Sequence, residues 1–233
     1  MLELHQYSPC WSVSSGSPFC TKVEAYLRIN DIPYSNVYKN DPRKAPRKQM
    51  PFLVNTRSKE IIPDSECIID YLEEHHGTAA KHLTAADKAI GQAWVRCFEH
   101  HTYWCLVYTR WMLPDNWAIT EPVFFGSMSS LARRFVPKIV KKGVQKALYE
   151  HGLGRHDEAS ILARGAQDIH NLAAFLGDRT TLVGSEVTRY DISLYALLSH
   201  IVKTPLESPL KDAVTSHNNL MQYIQLIDDL VRE

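Results

Sequence analysis

The sequence predicts a small α/β unit followed by an all-helical unit, and three observations carry that expectation. Strand and helix signals alternate through the first third of the chain. After Gly77 the strand signals largely disappear and long stretches of helical apolar spacing take over. No internal repeat or low-complexity linker interrupts the chain, so a short connection is expected between an α/β unit at residues 1–77 and a helical unit at residues 83–233. A length of 233 residues fits one or two domains and exceeds the roughly 100 residues of a lone small α/β unit.

The elements follow in order. Leu2 to Tyr7 reads as a buried first strand. Ser17 has the profile of a helix N-cap and Pro18 suits the first helical position, where its missing N–H costs nothing. Phe19, Val23, Tyr26 and Leu27 form the apolar stripe of that helix, leaving Lys22, Glu24 and Arg28 for solvent, with an end near Asn30-Asp31. Tyr34 to Tyr38 is a second strand, Lys39 to Gln49 a basic, proline-bearing loop, Met50 to Val54 a third strand and Glu60 to Ile62 a fourth. Asp64-Ser65 then caps a helix carrying Ile68, Ile69 and Leu72 that runs out at Gly77. A βαβ crossover followed by ββα implies a parallel pair and then an antiparallel hairpin. Pro51 is acceptable at the opening of a strand because it has no ladder donor.

In the second unit, Leu83 to Met112 is a long helical candidate rich in Trp and Tyr. Pro114 and Pro122 are expected to bracket an irregular aromatic segment, Asp115 to Phe125. Leu131 to Tyr149 reads as a basic helix kinked or interrupted at Pro137, its basic run from Arg133-Arg134 to Lys146 a solvated face. Leu162, Ala166, Ile169, Leu172 and Leu176 mark a further helix that Gly177 terminates. Thr188-Arg189-Tyr190-Asp191 has the form of a capping box, with Val187 and Ile192 as its hydrophobic staple. Leu220, Ile224, Ile227 and Val231 mark a terminal helix.

Composition narrows the function. Lys+Arg and Asp+Glu number 26 each, unlike the basic footprint of a generic nucleic-acid binder. Hydrophobic residues make up 45% of the chain, enough for a sizeable core. No apolar run approaches the roughly 20 residues of a membrane span, and no basic-then-apolar leader opens the sequence. The five cysteines, an odd number, fit free thiols in a reducing cytoplasm. Their spacing, and the adjacent pairs His75-His76 and His100-His101, do not suggest a metal site, since neighbours on a helix point in different directions.

Ser17-Pro18-Phe19-Cys20 is the most informative stretch. A C-x-x-C after a first strand and at the head of a helix would read as a redox motif. With Ser17 in the first position no disulfide can close, but the helix end keeps its N–H groups and partial positive charge, which favour an anion. A thiolate belonging to a ligand satisfies both conditions.

These residues resemble the cytosolic glutathione transferases, most of all the branch that includes failed-axon-connections and metaxin-like proteins. Four landmarks carry the resemblance in order: Ser17 to Glu24; Met50-Pro51-Phe52-Leu53; Asp64-Ser65 with Ile68 to Leu72; and Thr188 to Tyr195. Gly152 to His156 and Asp168 to Gly177 add to it, so the likeness spans nearly the whole chain. The resemblance implies a thioredoxin-like N-terminal domain, an all-α C-terminal domain and a homodimer. It implies a cis peptide before Pro51, with the Met50 backbone receiving the cysteinyl part of glutathione. It also implies that Asp64 and Ser65 receive the γ-glutamyl end, for which the helix start at Ser65 can offer a hydroxyl and an N–H to a carboxylate. Arg47, Lys48 and Gln49 are candidates for the glycyl carboxylate, although relatives often have Gly-Lys where this chain has Lys48-Gln49.

The expected reaction is conjugation of the glutathione thiolate to a small hydrophobic electrophile, an epoxide or activated halide. Ser17 is the first choice of donor to the sulfur. Tyr7 competes, because other transferase classes use a tyrosine at the end of the first strand. Cys20, one turn beyond Ser17, reads as a small buried side chain; as an active thiol it would point instead to thiol transfer or β-etherase chemistry. Trp104, Tyr108 and Trp111 are candidates to wall the electrophile site, with core packing the alternative for at least one of them. A non-catalytic adaptor on the same fold is the competing class of function.

Overall fold

The computed structural model describes residues 1–80 and 82–232. The first unit comprises β1 (Leu2–Gln6), α1 (Pro18–Ile29), β2 (Tyr34–Tyr38), β3 (Phe52–Asn55), β4 (Glu60–Pro63) and α2 (Ser65–His76). The sheet order is β2-β1-β3-β4, with β1 and β2 parallel and the other neighbours antiparallel, as the order of strands and helices implies. Leu4, Leu53, Val23, Leu27, Ile68 and Leu72 are sealed between the sheet and the two helices.

The register decides where chemistry can gather. His5 pairs with Phe52, and Phe52 pairs with Pro63. The end of β1, the start of β3 and the end of β4 therefore meet at one edge of the sheet. Tyr7 follows the first of these, Met50-Pro51 precede the second and Asp64-Ser65 follow the third. Two strand spacings separate the outer pair, about 10 Å.

Helix α1 departs from its sequence reading. Lys22 and Glu24, expected in solvent, are 3% and 2% exposed. The stripe of Phe19, Val23, Tyr26 and Leu27 is only one of two covered faces, because α1 lies between the sheet and the later helices Arg189–Val202 and Asn218–Arg232. Lys22 Nζ is 2.7 Å from Glu99 Oε1 in the helical unit. The Glu24 carboxylate accepts hydrogen bonds from Gln6 (2.9 Å), Asn36 (3.0 Å) and Tyr34 (3.0 Å). Arg28 alone of the three stays exposed.

The second unit begins with a helical rod: α3 (Ala85–Cys97), a π turn (Phe98–Thr102) and α4 (Tyr103–Trp111). Then come α5 (Pro114–Phe125), α6 (Ser130–His151), α7 (Glu158–Leu176), α8 (Arg189–Val202), α9 (Pro209–Thr215) and α10 (Asn218–Arg232). Two expectations are corrected. The stretch Asp115 to Phe125 is helical rather than irregular: Pro114 sits at the first helical position, where proline is a good starter, so only Pro122 falls in the helix interior. Likewise α6 runs through Pro137 unbroken. One lost i→i−4 bond is a local cost that a 22-residue helix survives, and Pro137 itself is buried. The capping box at the head of α8 forms as expected. Asp191, fully buried, accepts from the N–H groups of Thr188 (2.8 Å) and Leu182 (2.6 Å) and from the Tyr223 hydroxyl (2.9 Å).

Candidate active site

The loop from Tyr7 to Gly16 returns on itself before α1 starts. The Gly16 N–H donates to the Ser8 carbonyl at 3.2 Å, and the buried Ser15 hydroxyl donates to the Tyr7 carbonyl at 3.1 Å. Ser17 is the N-cap, with extended backbone at φ −122°, ψ 131°, and its side chain makes no cap hydrogen bond. Its carbonyl accepts from the N–H groups of Cys20 and Thr21. Pro18 has no N–H, and the Phe19 N–H has no partner among the described residues. The half-buried Ser17 hydroxyl is thus placed beside an open helix end and is not sealed from solvent.

Tyr7 is half-buried against Cys20, Ala45, Met50 and Phe52. Burial, with the Cys20 thiol, Tyr103 and Asp41 nearby, pushes its phenol well above the usual tyrosine range. Tyr7 is therefore a neutral hydroxyl that can donate a hydrogen bond. Cys20 is fully buried, and burial pushes its thiol up to about 11 despite the neighbouring Tyr7 backbone and the Ser15 and Ser17 hydroxyls, which act the other way. A thiol in that state is not a nucleophile at neutral pH.

The Met50-Pro51 bond is cis. Met50 is buried, and its N–H and carbonyl have no partner among the described residues. Lys48 and Gln49 are exposed, Lys48 at the left-handed φ of 54°. Asp64 caps α2 by accepting from the Glu66 N–H at 2.9 Å, with φ at 78°, a region a non-glycine residue rarely enters. Such strain is found where a backbone is over-determined for a purpose. Ser65 is buried, yet its hydroxyl is not sealed from solvent.

The helical unit supplies a group that sequence reasoning missed. Arg110, 6% exposed, reaches from α4 to the head of α1. One of its terminal nitrogens donates to the Gly16 carbonyl at 2.9 Å and the other to His200 Nδ1 at 3.1 Å, while its guanidinium lies 5.4 Å from the Trp11 ring centre. Its Nε has no partner, and no carboxylate lies within ion-pair distance among the described residues. Burial holds His200 well below the usual histidine value, helped by the charges of Arg110 and Lys203. His200 is therefore neutral, accepting at Nδ1 and donating from Nε2 to Thr21 Oγ1 at 3.0 Å. A buried cation thus sits directly behind the peptide that joins Gly16 to Ser17. The signal in the sequence was a lone arginine inside the aromatic run Tyr103 to Met112, seven residues after Tyr103 and so on the same helix face.

The aromatic side chains gathered around the head of α1 are partly other residues than the candidates Trp104, Tyr108 and Trp111. Phe19 and Tyr103 meet edge to face at 4.8 Å, and Trp11 meets Phe124 at 6.1 Å. The Phe124 ring lies so close to Gly16 that a Cβ there would stand 3.3 Å from it. Trp111 joins this cluster through Phe124 at 5.9 Å and Trp117 at 5.3 Å. Trp104 instead stacks on His151 at 4.8 Å, and Tyr108 donates to Glu158 at 3.3 Å. Four residues apart, those two share a face of α4 directed at α6 and α7, whereas Tyr103 and Arg110 share the face directed at α1. A separate cavity of about 510 Å³ opens at the other end of α1, beside Arg28, Tyr34 and Arg232, away from Ser17.

A four-stranded mixed sheet with an all-helical second unit, and an open helix end beside a cis-proline, define the architecture of the glutathione-dependent transferases. The chain belongs to the glutathione S-transferase family: residues 18–116 match the family's N-terminal domain and residues 165–227 its C-terminal domain. It is 27% identical to the isoprene-epoxide glutathione S-transferase of a Rhodococcus species, over 97% of this chain and 98% of that one. It is 28% identical to Failed axon connections of Drosophila melanogaster over 98% of this chain, which spans 57% of that relative's length. Among solved structures, the β-etherase LigF of a Sphingobium species shares the fold, with a TM-score of 0.68 at 17% identity, over 99% of this chain and 97% of that one.

Proposed function

We propose that the protein binds glutathione along the shared sheet edge and conjugates its thiolate to a small hydrophobic epoxide or activated halide. The observation that carries this reading is the Ser17 hydroxyl, free of any capping role at an open helix N-terminus and backed by the buried charge of Arg110. Ser65 and Asp64 receive the γ-glutamyl end, the Met50 backbone the cysteinyl unit, and Lys48 or Gln49 the glycyl carboxylate. Ser17 donates to the sulfur and does not attack. Tyr7, kept neutral, is placed to donate a second hydrogen bond. A free thiol ionises near 8.5, and a helix end with a donor and a cation can bring that value toward neutrality. The thiolate then attacks an epoxide carbon; the C–S bond forms, the C–O bond breaks, and the alkoxide takes a proton from water.

Trp11, Phe19, Tyr103, Trp111 and Phe124 supply the apolar side of the electrophile site. The 27% identity to a relative named for an epoxide supports that substrate class. A cytoplasmic homodimer is the assembly and location that accompany this reading.

The test is immobilised glutathione followed by turnover. The wild type should be retained. Ser17→Ala should lower kcat/KM with an epoxide by about 10- to 100-fold, the worth of one hydrogen bond to a charged group, while retention changes little. Equal turnover would remove Ser17 from the mechanism. Failure of the wild type to bind glutathione would favour the adaptor class.

A further inference from the structure

Helix α6 leaves one face uncovered, and the active site does not use it. Leu131, Phe135 and Ile139 are 73%, 54% and 69% exposed. Spaced by four, they form a single stripe along the helix. Lys142 lies on the same exposed side, and Lys138 and Arg134 flank it. None of these three cations has a carboxylate within 4.0 Å among the described residues. From Ser130 to Tyr149 the helix has no Asp or Glu, in a chain whose charges otherwise balance. Val123 and Met128, on α5 and the turn before α6, add further exposed apolar surface.

A purely solvated face accounts for the cations and not for the apolar stripe between them. A second copy of the chain would bring the same cations against one another. The apolar residues crown one convex helix, which suits a flat surface better than an insertion into a groove. No described helix is long and apolar enough to cross a bilayer, so contact with lipid would be shallow. We propose that this face docks on the surface of an anionic lipid bilayer. The helix lies along the membrane plane, Leu131, Phe135 and Ile139 enter the headgroup–acyl boundary, and the flanking cations meet the acidic headgroups. This inference is independent of the reaction assigned to the active site.

Sedimentation of the full chain with phosphatidylcholine vesicles, with and without phosphatidylserine, tests it. The protein should pellet with the anionic vesicles and not with the neutral ones, and added salt should release it. Phe135→Glu with Ile139→Glu should abolish binding. Lys138→Gln and Lys142→Gln should each weaken it roughly fivefold. Retention on immobilised glutathione and the circular dichroism spectrum, unchanged in every variant, exclude unfolding as the cause. Wild type that ignores anionic vesicles overturns the proposal. So does equal binding by wild type and the Phe135/Ile139 double variant. Light scattering that shows the double variant splitting a dimer while still binding lipid assigns the face to self-association instead.

Discussion

A guanidinium buried without a carboxylate must be satisfied by dipoles, and Arg110 has a carbonyl, a neutral imidazole and an indole face around it. Its charge is left to act on whatever anion arrives at the head of α1. Arg110→Met should raise the pKa of the bound glutathione thiol by about one unit, the low end of the effect of a nearby opposite charge. The rate at neutral pH should fall about tenfold and recover as pH rises. A uniform loss at every pH would mean that Arg110 only holds the loop in place. Its partner His200 makes a second, separate prediction. The folded ring resists protonation, so the unfolded state binds more protons below the ordinary histidine value of 6.5. Stability contributed at this site is thus complete above that pH and declines as pH falls through it, by up to about 1.4 kcal/mol per pH unit. Urea melts across that range should show a shallower decline in His200→Gln, whose amide can make both hydrogen bonds. Parallel declines would show that the folded ring takes up its proton as readily as the unfolded one.

At the scale of the element, local signals were readable wherever local chemistry decides. Thr188 and Asp191 announce a capping box by their spacing, and the box forms. Gly77 and Gly177 end α2 and α7 with positive φ, the conformation glycine adopts at least cost. Asp64 and Ser65 start α2 as their residue types suggest, but nothing in the sequence gives the φ of 78° at Asp64. Prolines misled the reading twice. Pro114 and Pro122 look alike in the sequence, although one starts α5 and the other lies inside it. Pro137 suggests a kink or an interruption, and α6 is not interrupted there. A proline's cost is local, while the packing that offsets it involves residues distant in sequence.

Across the whole molecule, the two units are fastened through α1. The Lys22–Glu99 pair spans them at 2.7 Å with both side chains less than a tenth exposed. Removing one member leaves the other buried and charged. Lys22→Met should therefore cost about 3–5 kcal/mol, read as a lowered urea midpoint. Lys22→Met combined with Glu99→Leu should recover most of that loss, because no unpaired charge remains. A double variant no more stable than Lys22→Met alone would mean that the pair matters for its packing rather than its charge.

The sequence by itself determined the order of strands and helices and the caps that bound them, because each rests on residues within a few positions of one another. Ser17-Pro18 and Asp64-Ser65 were legible as helix starts for that reason, whereas the roles proposed for them and for Met50-Pro51 rest on the family likeness. Tertiary structure alone decided that these stretches share one edge, through the pairing of His5 with Phe52 and of Phe52 with Pro63. It also decided that Lys22 and Glu24 are buried, that Tyr103 meets α1 and Phe124 the loop before it while Trp104 and Tyr108 face α6 and α7, and that Arg110 stands behind the Gly16–Ser17 peptide. Those outcomes depend on contacts between residues tens of positions apart, where periodicity marks a face as polar or apolar and does not say what will cover it.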